Sequence, residues 1–180
     1  MKQQNQISFP SYIVDRKITS MAKQIVRPCD MTQKFCFIGI MKGGLWTLYR
    51  LVAQLALWGY EDITIGHIGF SSYNAMLHAS EMRCTYPLDL LPENMEGRKI
   101  WLIDDIYDTG ATVAAALEKI NKVKPESSSL QVATLVTKHS NKPEVSGFLI
   151  DKDQFVVGCG MGLGEKNRSQ SFITSIQEGL

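Results

Sequence analysis

Two adjacent carboxylates, Asp104 and Asp105, follow the apolar run Ile100–Ile103 and lead into a loop of small and polar residues. This loop, residues 108–112, reads Asp-Thr-Gly-Ala-Thr and precedes a stretch that predicts a helix. A loop that enters a helix N-terminus presents free backbone N–H groups and the positive end of the helix dipole, so it suits a phosphate. The two threonines add hydroxyl donors, and Gly110 allows the backbone to approach an anion closely.

The acids of this stretch predict two further contacts. Adjacent carboxylates at the end of a strand can hold sugar hydroxyls or a divalent metal. Asp108 would repel a bound phosphate, so its place in the loop favours contact with a base nitrogen or with a proton in transfer. The simpler alternative is a buried strand followed by a capped helix, but a cap needs only one acid or hydroxyl, and several are concentrated here.

A second turn of this kind follows the apolar run Phe35–Ile40. It contains Lys42, Gly43 and Gly44 and opens the next predicted helix. One alternative is a tight turn without a ligand, since Gly-Gly often only connects a strand to a helix. Two anion-binding loops at one sheet edge can, however, hold both ends of a single polyphosphate.

Two later segments carry further candidate binding residues. Lys138 follows the run Leu130–Thr137, where its ammonium group is either a solvated strand end or a donor that selects a carbonyl oxygen of a ligand. Phe155 precedes three glycines, which predicts either an irregular close-packed strand or an aromatic lid over a flat heterocycle. Arg168 is either a lone surface arginine or an anion contact.

The composition is that of an ordinary globular domain. The chain has 180 residues, of which 44% are hydrophobic and 21% charged, enough for one domain with a full core. A formal net charge of +1 argues against strong attraction to nucleic acid or to membranes. The four cysteines have no metal-ligand spacing, which is typical of reduced cytosolic thiols, and no apolar run reaches the length of a membrane span.

The elements that must position these residues alternate between strands and helices. Apolar runs predict strands over residues 35–40, 62–69, 99–103, 130–137, 148–150 and 155–157. Helical periodicity predicts helices over residues 45–58 and 113–122. This alternation predicts an α/β fold with a mostly parallel central sheet flanked by helices, in which ligands bind beyond the carboxyl ends of the strands. The weakly periodic stretch 70–96 predicts a lid, a binding loop or a disordered segment.

The stretch Ile100–Thr112 resembles the phosphoribosyl-pyrophosphate signature of the type I phosphoribosyltransferases, an apolar strand, two acids and then Asp-Thr-Gly-x-Thr. With the Lys-Gly-Gly turn and the Phe-Val-Val-Gly segment, the chain from about Phe35 to Arg168 resembles the hypoxanthine-guanine branch of that family. The resemblance implies a single domain, residues 1–180, with a small hood formed near the N-terminus and by about 148–180, and a mobile active-site loop over about 71–88.

The resemblance also implies a role for each candidate residue. The 5′-phosphate would bind at Asp108, Thr109, Gly110, Ala111 and Thr112. Pyrophosphate would bind at Lys42, Gly43 and Arg168, with a cis peptide bond between Met41 and Lys42. The ribose hydroxyls and Mg²⁺ would lie at Asp104 and Asp105, and Asp108 would be the catalytic residue that accepts or shares the proton at N7. The purine would lie among Lys138, Phe155, Val156 and Gly162, and Ser72 and Tyr73 would belong to the mobile loop.

Two positions depart from the family pattern. Gly162 stands where the family usually has an acid that helps to hold a second magnesium ion, and Glu165 is an acid close to it in sequence. Asp104 stands where many members have a glutamate. The number of metal ions therefore stays open at this point.

The implied reaction is purine salvage: Mg²⁺-dependent transfer of 5-phosphoribosyl from phosphoribosyl pyrophosphate (PRPP) to N9 of hypoxanthine or guanine, giving IMP or GMP and pyrophosphate. The alternatives are a xanthine-preferring enzyme, an RNA-binding regulator on the same fold, which the near-neutral charge disfavours, and a nucleotide-binding protein without turnover. The family also implies a cytoplasmic homodimer or homotetramer without nucleic-acid or membrane partners, in which Trp46, Tyr49 and Trp58 belong to an interface or to the core.

Overall fold

The computed structural model describes residues 7–27, 29–71, 83–85, 92–138 and 143–176. The helices in these residues are α1 (Ser11–Val26), α2 (Gly44–Leu57) and α3 (Ala111–Asn121). The strands are β1 (Ser8–Phe9), β2 (Phe35–Met41), β3 (Ile63–Ser71), β4 (Arg83–Cys84), β5 (Lys99–Tyr107), β6 (Leu130–Thr137), β7 (Val145–Leu149), β8 (Phe155–Val157) and β9 (Ile173–Ile176). No helix in these ranges is long and apolar enough to cross a membrane.

Six of these strands form one sheet with the order β4-β3-β2-β5-β6-β7. Neighbouring strands run parallel except for β4, which pairs antiparallel with β3 at one edge. β2 and β5 lie at the centre, and the segments Phe35–Ile40 and Ile100–Ile103 are continuous apolar runs because both faces of a parallel sheet are covered. The predicted α/β class with a mostly parallel sheet is confirmed.

Helices cover the sheet on both faces. Successive side chains of β2 point to opposite faces, so Phe37 packs with α1 and α2, whereas Ile38 packs with α3. The core beneath α1 and α2 includes Val14 and Leu51, both fully buried. Two separate cores therefore hold the central strands in place.

Helix α1 lies outside the elements that the sequence analysis predicts, although its apolar residues recur at helical spacing. Val14, Ile18, Met21 and Ile25 are its large buried residues, and they lie on one face. This face packs against α2 and β7. The periodicity was therefore present in the sequence as a signal.

A second sheet joins the two ends of the chain. Its three strands are antiparallel, with the order β1-β9-β8. The Phe9 ring stacks on Phe148 of β7 with 4.2 Å between ring centroids, which attaches this small sheet to the main one. This sheet is the hood that the resemblance implies, and β9 is a strand that the sequence analysis does not predict.

The end of the central strand differs from the prediction, and the expected mobile loop lies mostly outside the described residues. The central strand was expected to end at Ile103, but β5 continues to Tyr107, which pairs with Thr137. The acids Asp104 and Asp105 thus lie within the strand rather than at its end, and the loop begins later. Most of the expected mobile loop, including Ser72 and Tyr73, lies outside the described residues, and the single domain over 1–180 stays a prediction.

Candidate active site

The candidate residues come together at one edge of the main sheet. β2, β5 and β6 are neighbours and parallel, so their carboxyl ends face the same side. The Lys42 turn follows β2, the phosphate loop follows β5, and Lys138 follows β6. The segments that follow these three strands therefore lie close together, at the carboxyl edge of the sheet that the sequence predicts as the binding site.

Asp104 and Asp105 form a buried acidic pair, 6% and 8% exposed. The Asp105 backbone N–H donates to Asp104 Oδ1 at 2.9 Å, and the Ile106 N–H donates to Asp105 Oδ1 at the same distance. Among the described residues, neither carboxylate forms an ion pair with a lysine or arginine. Burial, and then the neighbouring Asp105 charge, raises the pKa of Asp104 well above its ordinary value, and burial also raises that of Asp105.

The loop after β5 has the backbone of an anion site. Gly110 is the N-cap of α3 and adopts a left-handed conformation with φ of 81°. A Cβ atom there would also overlap the Tyr107 hydroxyl, so glycine is required on two grounds. The Ala111 N–H donates to Thr109 Oγ1 at 3.3 Å. The residues 108–112 line a cleft of ≈ 300 Å³ that also contains Lys42, Gly43 and Arg168.

The turn after β2 lies directly against the acidic pair. The Met41–Lys42 peptide bond is cis, as the resemblance implies. A Cβ atom on Gly43 would overlap the Asp105 carboxylate, and one on Gly160 would overlap the Gly43 carbonyl oxygen. Close backbone approach from two directions therefore explains these glycines and places a second loop beside the acids.

Lys138 and Asp108 form an ion pair across two strands. Lys138 Nζ donates to Asp108 Oδ2 at 3.1 Å, and the Lys138 backbone N–H donates to the Tyr107 carbonyl at 2.9 Å. The Lys138 side chain is only 10% exposed, which excludes the solvated strand end that the sequence left open. The ammonium group is held where it faces a ligand cleft.

That second cleft, of ≈ 390 Å³, adjoins the first and shares Asp105, Asp108 and Arg168 with it. The other residues along it include Phe155, Val156, Met161 and Gly162. An aromatic ring, a mostly buried lysine side chain and backbone polar groups line one space, which suits a flat heterocycle. The predicted purine residues are thus brought together, although their contacts with a base stay a prediction.

Arg168 is anchored to the glycine-rich loop that follows β8. Its Nη1 donates to the Gly160 carbonyl at 2.7 Å, and its Nε donates to the Gly164 carbonyl at 2.9 Å. A side chain on Gly162 would overlap both the Lys166 carbonyl and the Arg168 side chain. The loop therefore has no room for a side chain at this position. Arg168 reaches both clefts and is more than a lone surface arginine.

Three residues of the site were not predicted from the sequence. Glu165, considered only because of Gly162, accepts a hydrogen bond from Lys42 Nζ at 2.7 Å. Tyr107 lies beneath the phosphate loop, and Met161 lines the second cleft. Neither has a local signal, because a tyrosine at a strand end and a methionine between glycines each fit an ordinary core as well.

The site offers oxygen ligands in pairs rather than in clusters. Within the described ranges, no group of three or more histidine, cysteine, aspartate or glutamate side chains is placed to hold a metal ion. The buried pair of Asp104 and Asp105 suits a hard divalent cation, since oxygen ligands are preferred and the cation would compensate two carboxylates that form no ion pair with a described lysine or arginine. Mg²⁺ usually keeps several waters and takes oxygen atoms from its substrate, so two protein carboxylates suffice.

Comparison with known proteins agrees with this geometry. The family model described as "Phosphoribosyl transferase domain" matches residues 12–163. The chain is similar to the hypoxanthine-guanine phosphoribosyltransferase of Dictyostelium discoideum, with 25% identity over 178 residues and 96% of each chain covered. It is 30% identical over 142 residues to the hypoxanthine-guanine phosphoribosyltransferase of Bacillus subtilis, covering 76% of this chain and 73% of the relative.

A solved structure shares the whole fold. It is a hypoxanthine-guanine phosphoribosyltransferase from Bacillus anthracis, which superposes with a TM-score of 0.81 and 24% identity and covers 97% of this chain and 99% of that one. At this level of identity the likeness establishes the fold, including the hood made from both ends of the chain.

Proposed function

We propose, for a chain that belongs to the phosphoribosyltransferase family, that it transfers a 5-phosphoribosyl group from PRPP to N9 of hypoxanthine or guanine. The products are IMP or GMP and pyrophosphate, so the chain is an enzyme of purine salvage. One observation carries the substrate assignment: a cleft with two anion-type loops adjoins a cleft lined by Lys138 and Phe155. A phosphate, a pyrophosphate and a 6-oxopurine would each have their own part of this space.

The phosphate and pyrophosphate ends of PRPP would be held by the two loops. Backbone N–H groups at the start of α3, with Thr109 and Thr112, would bind the 5′-phosphate. Lys42 and Arg168, with the backbone at Gly43, would bind the pyrophosphate and compensate the negative charge that develops as it leaves. The scissile bond would then lie above Asp104 and Asp105.

The acids would act on the sugar and on the base. Asp104 and Asp105 would hold the ribose hydroxyls, and their charge suits the positive charge that an oxocarbenium-like transition state places on the ribose ring. Mg²⁺, held by the same two residues, would compensate the charge of the acidic pair and of the departing pyrophosphate. Asp108 would take or share the N7 proton of the purine.

The base would be recognised by complementary donors and acceptors. Lys138 has three donors and no acceptor, so it suits a 6-oxo group and opposes a 6-amino group. Phe155 would stack on the ring, and the backbone at Val156 and Gly162 would read its edge. A preference among hypoxanthine, guanine and xanthine depends on carbonyl groups at this edge, and we propose that they accept from the guanine 2-amino group.

The partners and the compartment follow the same assignment. All four cysteines are thiols rather than disulfides, which is typical of proteins in a reducing compartment, and we place the enzyme in the cytoplasm. We propose a homodimer or homotetramer, because α2 exposes half of Tyr49 beside a partly buried Trp46. Sedimentation of the native protein measures this directly. The formal net charge of +1 gives no support to the RNA-binding alternative.

The decisive experiment is nucleotide formation from PRPP and Mg²⁺ with hypoxanthine, guanine, xanthine and adenine. We expect adenine to be rejected by roughly 10⁴-fold in kcat/KM, because its 6-amino group would face the Lys138 ammonium group donor to donor. Lys138→Gln should weaken 6-oxopurine use and shrink this discrimination. Lys122→Gln, which removes a lysine from an exposed pair with Glu118, is the control and should change nothing. If the wild type uses adenine as readily as guanine, the purine assignment is wrong.

A further inference from the structure

Glu165 is an acid that lies among the cations of the pyrophosphate subsite. Its Oε1 accepts from Lys42 Nζ at 2.7 Å, and its Oε2 lies 4.0 Å from Arg168 Nε. These two cationic residues come from different loops, one after β2 and one after β8, and both line the main cleft. A single carboxylate thus lies beside both cations proposed to hold pyrophosphate.

The three residues differ in how firmly they are held. Arg168 is anchored by the Gly160 and Gly164 carbonyls, so its guanidinium group stays in place whether or not Glu165 is near. The Lys42 and Glu165 side chains are 56% and 74% exposed. An exposed lysine–glutamate pair is weak, so an anion with more than one charge can displace the carboxylate easily.

The Glu165 carboxyl group is ionised at neutral pH. The hydrogen bond from Lys42, and then the Lys42 charge, lowers the pKa of Glu165 below its ordinary value. The carboxylate is therefore negatively charged at neutral pH and competes with any other anion for the same cations. A glutamate at this position opposes pyrophosphate binding as long as it stays on Lys42.

We propose that Glu165 is a positioning residue that holds Lys42, beside the anchored Arg168, as an internal counter-ion and must leave Lys42 when the pyrophosphate group binds. The carboxylate returns as pyrophosphate departs, so it weakens substrate binding and promotes product release by the same interaction. This inference rests on the proposed function for its catalytic meaning, but the competition itself concerns only pyrophosphate and three side chains.

The test is calorimetric titration of inorganic pyrophosphate with Mg²⁺ into the wild type and Glu165→Gln, together with KM measurements. The variant should bind pyrophosphate about two- to five-fold more tightly, the range expected for loss of one exposed ion pair, and should lower the KM for PRPP similarly. The KM for the purine base should stay unchanged. The difference should shrink as salt rises, because exposed charges are screened.

Two variants separate this role from a general effect. Glu165→Asp keeps the charge and should remain close to the wild type. Glu118→Gln removes another exposed glutamate that also accepts from a lysine at 2.7 Å, on the far half of α3, and should leave every constant unchanged. Unchanged or weaker pyrophosphate binding by Glu165→Gln would overturn the inference, whereas a wild type that binds pyrophosphate but makes no nucleotide would overturn only the proposed reaction.

Discussion

Both ends of the main sheet carry buried charge. The charge at the amino end has an oppositely charged partner, whereas the charges at the carboxyl end lie beside each other. At the amino end, Arg98 is buried, pairs with Asp62 and donates to the carbonyls of Asn94, Phe35 and Asp62. At the carboxyl end, Asp104 and Asp105 are equally buried but have each other as neighbours.

The pKa shifts express this difference. The hydrogen bond from Arg98 lowers the pKa of Asp62, whereas burial raises the pKa of Asp104. A buried charge with a partner contributes to the fold, and a buried charge without one costs stability until a ligand compensates it. At the amino end the protein itself compensates the buried charge, whereas at the carboxyl end we propose that a substrate or a cation does so.

The largest expected effect separates the two ends by activity. Asp108→Asn should lower turnover by about 10²–10⁴-fold, the usual contribution of a general acid–base group, while the protein stays folded. Asp62→Asn, an equivalent change at the amino end, should leave the kcat of folded protein unchanged. Steady-state kinetics with guanine, normalised to folded protein by circular dichroism, measures both. Equal turnover of Asp108→Asn and the wild type would remove Asp108 from the chemistry.

The next effect separates them by stability. Arg98→Met should lower the free energy of unfolding by about 2–3 kcal/mol, because several backbone carbonyls and Asp62 lose a buried donor together. The variant should bind PRPP normally wherever it is folded. Urea unfolding measures the loss. A loss below about 0.5 kcal/mol, the range of ordinary surface changes, would mean that the amino-end pair contributes nothing to the fold.

A smaller effect on the free energy of unfolding should be a gain rather than a loss. Asp104→Asn should raise the free energy of unfolding of the ligand-free protein by about 1–2 kcal/mol at neutral pH, since it removes a poorly compensated buried charge. The raised folded-state pKa means that the contribution of Asp104 to stability is fully present below the unfolded pKa of 3.8 and is lost as pH rises through the folded value. The gain should therefore grow with pH.

Asp62 is the control for this sign. Its folded-state pKa is lowered, so its contribution is present above the unfolded pKa and lost as pH falls through the folded value. Unfolding of Asp62→Asn at several pH values should show a loss at neutral pH that vanishes in acid. If Asp104→Asn also loses stability at neutral pH but not in acid, the carboxyl end stabilises the fold just as the amino end does, and the proposed difference between them is wrong.

The smallest effect marks the limit of the comparison. Lys34 lies 3.4 Å from Asp62, but both side chains are substantially exposed. Lys34→Gln should change the free energy of unfolding by less than about 0.5 kcal/mol, because exposed ion pairs contribute little. Thermal unfolding in low and moderate salt checks this. A loss as large as that of Arg98→Met would assign the stabilisation to charge alone rather than to buried hydrogen bonds.

Much of the fold could be predicted because its signals are local. The strand β6 and the strand β8 have the bounds that their apolar runs predict, and α2 differs by a single residue at each end. Helix α1 was not predicted, although Val14, Ile18 and Ile25 recur at helical spacing. Strand β9 was not predicted because its four residues of mixed polarity show no periodicity.

The residue types that can bind anions, and the order in which they occur, are readable from the sequence alone. Gly110 in a left-handed turn and the apolar run before Asp104 are consequences of backbone geometry and burial that act within a few residues. The three-dimensional fold was needed to place Tyr107 in β5 beyond the acids, Lys138 against Asp108, and Glu165 beside Lys42. Parallel strands joined by a crossover bring Lys138 to Asp108 across 30 positions, and the loop after β8 brings Glu165 to Lys42 across 123 positions. No local pattern encodes contacts over such separations.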